Sequence, residues 1–236
     1  NTSAVSVISQ ENLATGVYTA AAADPEGATV SYSIVGGADA ALFTIDPNTG
    51  VVDFISAPDY ENPLDTNADN IYGLQIGFAD QTGNQSSANI TITVSDENDN
   101  APVFSSAATF TVEENQTAAF TAAATDADTT SVVGYSISGG ADAALFSINA
   151  STGEVTFINA PDASSPGDAN SDNIYEVEVS ASDGTNTVAQ TVFVTVYEPA
   201  PVVQAPTITA SEGFIVVGDD ASDFAGQSVT GLGDIN

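Results

Sequence analysis

Tyr32-Ser33-Ile34 followed by Gly36-Gly37-Ala38-Asp39-Ala40-Ala41-Leu42-Phe43 returns as Tyr135-Ser136-Ile137 followed by Gly139-Gly140-Ala141-Asp142-Ala143-Ala144-Leu145-Phe146. The offset, from Tyr32 to Tyr135, is 103 residues. That is the period of a whole domain, not of a solenoid unit of about 20 to 50 residues. Two copies of one module in series are therefore expected, at residues 1–99 and 100–198, each long enough to bury its own core.

Within each copy the apolar residues recur at period two. Tyr72, Leu74, Ile76 and Phe78 alternate with Gly73, Gln75 and Gly77, and Tyr175, Val177 and Val179 alternate with Glu176 and Glu178. Ile90, Ile92 and Val94, like Val192, Val194 and Val196, repeat the signal near each module's end. This is the pattern of half-buried strands. Asp46-Pro47-Asn48-Thr49-Gly50 and Asn149-Ala150-Ser151-Thr152-Gly153 supply turns in which glycine takes a positive φ. The Ala-rich pieces at 20–23 and 122–124 are too short for a helix. The expected fold class is all-β: two antiparallel sandwiches of about seven strands each.

The chain carries 32 Asp and Glu and no Lys, Arg, His or Cys. Nucleic acid is excluded as a partner, since phosphate binding relies on Lys and Arg. A basic membrane-binding face is excluded on the same ground, and no run of about 18 apolar residues is available for membrane insertion. Neither disulfides nor thiolate metal sites can form. With no side-chain cation to pair with, a tight carboxylate cluster needs a metal ion. The run Asp96-Glu97-Asn98-Asp99-Asn100-Ala101-Pro102 packs hard oxygen donors at the junction of the two copies, which suits Ca²⁺.

Five segments occur in order: Glu11-Asn12, Asp59-Tyr60-Glu61, the run Asp96 to Pro102, Asp126-Ala127-Asp128, and Asp183. Together they resemble the interdomain calcium site of cadherin repeats, over roughly residues 4–198. The resemblance implies two tandem Greek-key, Ig-like sandwiches and about three Ca²⁺ ions at the joint. It implies that Glu11, Asp59, Glu61, Asp96 and Asp99 surround two ions, with Glu97 offering its backbone carbonyl. Asn98, the carbonyl of Asn100, Asp126, Asp128 and Asp183 hold the third. Asp24, Glu26 and Asp80 match Asp126, Asp128 and Asp183 at the top of the first module and imply a weaker, partial metal site, completed by a preceding module. At the far end of the second module Glu114 and Asp162 persist, but Ser164 stands where the first copy has Glu61, so that site is expected to be dead or weak.

Residues 199–206 hold prolines 199, 201 and 206 and read as an extended linker. Residues 207–236 begin a short β segment. Within it, residues 224–236 resemble the start of an FG-GAP repeat of integrin-α-type propellers, which implies a piece of a longer, modular, bacterial-style protein.

Without His, Cys, Lys or Arg most general bases and nucleophile activators are missing, so an enzyme is not expected. The function expected is a calcium-rigidified adhesion or spacer element of a secreted or cell-surface protein, its partners being calcium, neighbouring modules, other copies of itself or a polysaccharide surface. Two rival readings are a carbohydrate-binding module and a filament subunit assembled by strand complementation.

Overall fold

The structure, a computed structural model, describes residues 5–200. The FG-GAP-like stretch and most of the proline-rich linker lie outside these residues. The first module comprises β1 (Val5–Gln10), β2 (Tyr18–Thr19), β3 (Ser31–Gly36), β4 (Phe43–Ile45), β5 (Val51–Phe54), β6 (Ile71–Ala79) and β7 (Gln85–Ser95). Its two sheets have the orders β1-β7-β6-β3 and β2-β5-β4. The second module comprises β8 (Val103–Phe104), β9 (Thr109–Glu113), β10 (Ala118–Thr121), β11 (Ala124–Thr125), β12 (Gly134–Gly139), β13 (Phe146–Ile148), β14 (Glu154–Phe157), β15 (Ile174–Ser182) and β16 (Thr187–Tyr197). Its sheets are β12-β15-β16-β9 and β10-β14-β13, with β8 and β11 forming a separate pair.

The period-two pattern decides which side of each strand is buried. Tyr72, Leu74 and Ile76 lie beside Ile90, Ile92 and Val94 on the inner face of one sheet and in one core, and Tyr175, Val177 and Val179 lie beside Val192, Val194 and Val196 in the other. Burying a side chain of that size contributes about 1.5–3 kcal/mol. Each core is centred on an aromatic trio. Ring centroids of Phe43 and Phe54 lie 4.3 Å apart, with Tyr72 edge-on to both, and Phe146, Phe157 and Tyr175 repeat the arrangement with a leading distance of 4.5 Å. The buried tyrosine hydroxyls stay hydrogen-bonded, accepting from the N–H of Leu64 and of Gly167. Burial raises both tyrosine pKa values.

One expectation needs correction. The sandwiches are not wholly antiparallel: β1 pairs in parallel with β7, from Val5↔Ile90 to Gln10↔Ser95, and β9 pairs in parallel with β16. Alternation fixes which face a residue takes but carries no information on strand direction. The two strands of each parallel pair are joined through most of the domain, so no tight turn constrains them to run oppositely.

The repeated Gly-Gly-Ala-Asp signature has a local cause. Gly37 and Gly140 sit at φ +113° and +102°, and a Cβ there would lie 2.4 Å from the Gly73 carbonyl oxygen and 2.6 Å from that of Glu176. Only glycine lets the backbone pass so close. Two residues on, the buried Asp39 accepts hydrogen bonds from the N–H groups of Gly73 and Thr66, each at 2.8 Å. Asp142 does the same with Glu176 and Ala169. A single 3₁₀ turn follows in each module, Ala40–Leu42 and Ala143–Leu145. The expected hairpin turns form as well: Asp46 caps the N–H of Asn48 and Thr49, and Gly50 takes φ +71°.

Candidate metal centre

The parallel register brings Gln10 beside Ser95, so Glu11 and Asp96 leave neighbouring strand ends together. Glu11 is 3% exposed. One of its oxygens accepts from the N–H of Glu97 and the other from the N–H of Tyr60, both at 2.7 Å. One side chain thereby holds the acidic run against the loop carrying Asp59 and Glu61. From the second module, Asp126 and Asp128 follow β11, and Asp183 begins the turn between β15 and β16.

Three carboxylate groupings result: Glu11, Asp59 and Glu61; Glu61, Asp99 and Asp128; and Asp126, Asp128 and Asp183. Within each, one oxygen per residue lies within 4.8 Å of the others. Glu61 belongs to the first and second and Asp128 to the second and third, so the groupings form a continuous chain from one module into the other. Asp128 is 3% exposed.

The donor set fits a hard divalent cation. Glu61 Oε1, Asp96 Oδ1, Asn98 Oδ1 and Asp126 Oδ2 are buried oxygens without a hydrogen-bond partner. Orphaned buried oxygens are costly unless a cation meets them. Burial raises the pKa of Glu61, and the like charges of Glu11 and Asp96 add to the rise. Asp183 moves the other way: burial opposes its ionisation, but the N–H groups of Asn186 and Thr185 outweigh it and lower the pKa.

The remaining residues of the acidic run have mixed positions. Asp96 accepts from the N–H and the hydroxyl of Thr129, reaching across to the second module. The Glu97 side chain accepts from the Gln10 amide, and its backbone carbonyl accepts from Asp99 N–H. Asn98 donates to the Asp183 carbonyl. The Asn100 side-chain amide approaches Glu61, Asp99 and Asp128 at 2.9–3.1 Å, while its carbonyl accepts from Asn186. Three residues that the sequence pattern does not single out hold the site's oxygens in place: Gln10 donates to Glu97, Thr129 to Asp96 and Asn186 to the Asn100 carbonyl, while Asn12, of the Glu11-Asn12 segment, donates to Asp99 at 2.6 Å. Asn12 takes φ +60°.

The outer ends of the modules are sparser. Asp24 and Asp80 line a common groove of about 190 Å³. Asp24 caps the N–H groups of Glu26 and Ala28. Hydrogen bonds from the side chains of Thr82 and Asn84 hold the Asp80 carboxyl far below the usual range. Asp24, Glu26 and Asp80 do not converge as a carboxylate triplet among the described residues. At the opposite end Glu114 accepts from Ala163 N–H as Glu11 does from Tyr60, but Asp162 accepts from the Ser164 hydroxyl at 2.6 Å where the first module has a second carboxylate, Glu61.

Comparison with known proteins bears on the fold. The family model described as "Cadherin domain" matches residues 5–95 and again 108–197. Human Protocadherin Fat 4 is 35% identical over 199 residues, covering 79% of this chain and 4% of that protein. Human Protocadherin Fat 1 is 43% identical over 81 residues, 34% of this chain and 2% of its own length. The chain thus spans only a small part of the curated relatives it matches. Among solved structures, human Protocadherin-24 EC1-2 superposes with a TM-score of 0.65 at 25% identity, covering 83% of this chain and 95% of that one. Mouse Cadherin-23 EC22-24 shares the fold, with a TM-score of 0.65.

Proposed function

Because the chain belongs to the cadherin family, whose domains bind Ca²⁺ at interdomain linkers and serve adhesion outside the cell or at its surface, we propose that its two modules form a calcium-rigidified adhesion and spacer element of a larger cell-surface protein. The observation that carries this reading is the chain of three carboxylate groupings linked through Glu61 and Asp128.

We place the module boundary at 99/100, inside the acidic run. On the side of the first module, Glu11, Asp59, Glu61, Asp96, Asp99 and the Glu97 carbonyl would hold two ions. Asn98, the Asn100 carbonyl, Asp126, Asp128 and Asp183 would hold a third. Calcium supplies the positive charge that lets eight carboxylates from both modules share one small volume. Glu11 positions the joint by gripping two backbone N–H groups, and Asn186 and Asn12 orient the carbonyl of Asn100 and the carboxylate of Asp99. Affinities on the order of 10⁻⁴ to 10⁻³ M suit an extracellular module.

Asp24, Glu26 and Asp80 would complete a weaker site with a preceding module, and the resemblance of residues 224–236 to an FG-GAP repeat would make that stretch the start of a propeller repeat. The polysaccharide and strand-complementation readings draw no support from the described residues.

Calcium titration calorimetry together with small-angle scattering tests the proposal. About three ions per chain should bind, and chelation should shorten and broaden the distribution of interatomic distances. A titration without uptake, or scattering identical with and without chelator, would refute it.

A further inference from the structure

We propose that the outer face of the sheet β12-β15-β16-β9 is a docking surface for a different protein, taking an extended segment of it that carries arginine or lysine side chains. The inference goes beyond the calcium joint and does not depend on it.

The two modules share a backbone but not this face. Glu176 lies opposite Phe193 where the first module pairs Gly73 with Thr91, and Glu178 lies opposite Thr191 where it pairs Gln75 with Asn89. Tyr197 lies opposite Glu113 where the first module pairs Ser95 with Gln10. Each of these rows gains a carboxylate, and two of them gain an aromatic ring. Val192, Val194 and Val196 fill the core, so the alternate residues Phe193 and Tyr197 point outward, 40% and 44% exposed.

A groove of about 500 Å³ opens at the first of these rows. Phe193 and the exposed Ile174 form its apolar wall, and Asp142, Asn170, Asp172 and Glu176 bring oxygen to it. Asp142 accepts from the N–H groups of Ala169 and Glu176, and Asp172 from the Asn170 side-chain amide. Glu178, beside the groove, accepts from the Ser138 hydroxyl. The Glu176 carboxylate accepts no hydrogen bond among the described residues, and it stands next to the exposed ring of Phe193.

Charge selects the occupant. A carboxylate beside an aromatic ring suits a guanidinium or ammonium group, which pairs with the one and stacks on the other. The chain has no Lys, Arg or His, so a second copy cannot supply that group. Nor do Asp172, Glu176 and Glu178 converge as a carboxylate triplet for a metal ion among the described residues. The second carboxylate–aromatic pair, Glu113 with Tyr197, lies four residues further along β16, about 13 Å away in an extended strand. An extended segment with cationic side chains four residues apart spans the same distance and meets both pairs. The net charge of −32 draws such a partner in from solution, and the two pairs fix where it settles.

Nuclear magnetic resonance titration of the full chain in saturating calcium tests this. The probe is a capped seven-residue peptide of serine and threonine with arginine at its second and sixth positions. Binding should saturate, perturb the amides of Glu176, Phe193 and Tyr197, and weaken as salt is added. Phe193→Thr and Glu176→Gln should each weaken it about threefold, and the two together about tenfold. Glu154→Gln removes the same charge from the other sheet of this module and should leave binding unchanged. Circular dichroism melts establish that the variants fold. No saturation at millimolar peptide, or a double variant that binds as tightly as wild type, would overturn the inference and leave only diffuse attraction to an acidic surface. Equal binding of the peptide with glutamine in place of arginine would overturn it in favour of a neutral partner, and equal binding of spermidine in favour of a small amine.

Discussion

The side-chain amide of Asn70 donates to the backbone carbonyl of Tyr60 at 2.8 Å, while the N–H of the same Tyr60 is held by Glu11 at 2.7 Å. Asp59 and Glu61 flank that doubly held residue, so the backbone that carries them is held in part by an amide outside the acidic run. Asn70 is 8% exposed and takes φ +61°, a conformation Asn accepts more readily than most residues. Asn173 repeats the contact with the Ala163 carbonyl at the sparse end of the second module.

Asn70→Gly keeps the backbone conformation accessible and removes the donor. Leaving the Tyr60 carbonyl without its partner should cost about 1–3 kcal/mol. Calorimetric calcium affinity should fall several-fold as the loop loosens. Asn173→Gly should lower the melting temperature of its module without weakening calcium binding. Equal calcium affinities in the two variants would contradict the positioning role of Asn70.

Asp99→Ala removes one carboxylate from the middle grouping and the acceptor for Asn12. The modules should each remain folded while calcium affinity drops by about tenfold or more, and the scattering envelope in calcium should approach that of the chelated wild type. No change in maximum dimension would count against the joint.

The calcium-free protein should have a stability maximum in mildly acidic solution. Glu61 has a folded-state pKa raised above its ordinary 4.5, so the folded protein holds its proton more tightly than the unfolded chain. The stability this contributes is present below 4.5 and lost as pH rises through the raised value. Asp39 and Asp183 are shifted below the ordinary 3.8, so their contributions are present above 3.8 and lost as pH falls through their depressed values. Thermal melts with chelator should therefore rise as neutral solution is acidified, then fall below about pH 4. A melting temperature that decreases steadily from neutrality downward would contradict the assignment for Glu61.

Gly140→Ala should be severely destabilising, because the new Cβ would meet the Glu176 carbonyl at 2.6 Å and the peptide would also have to hold φ +102°. A loss of roughly 3 kcal/mol or more is expected. Gly184→Ala, at φ +96° with no atom within 4 Å, should show the backbone cost alone, about 1–2 kcal/mol. Chemical denaturation of the two variants distinguishes close approach from simple strain.

The repeat and the strand faces were legible because burial leaves a period-two record, as at Tyr72, Leu74 and Ile76, and because Gly37 and Asp39 must keep their spacing to let the backbone pass β6. The carboxylates were legible because they cluster in an otherwise cation-free chain. The parallel pairing of β1 with β7 was not, since Val5, Val7 and Ser9 alternate identically in either direction. Nor were Thr129 and Asn186, whose polar groups look like ordinary turn residues until folding brings Thr129 to Asp96 and Asn186 to the Asn100 carbonyl.

The parallel ladder between β1 and β7 has a mechanical consequence. A chain that enters at the start of one strand and leaves at the end of its parallel neighbour, from Val5 to Ser95, is pulled lengthwise when its ends are stretched. The hydrogen bonds from Val5↔Ile90 to Gln10↔Ser95 are then loaded together in shear instead of peeling one at a time, and β9 with β16 gives the second module the same resistance to tension.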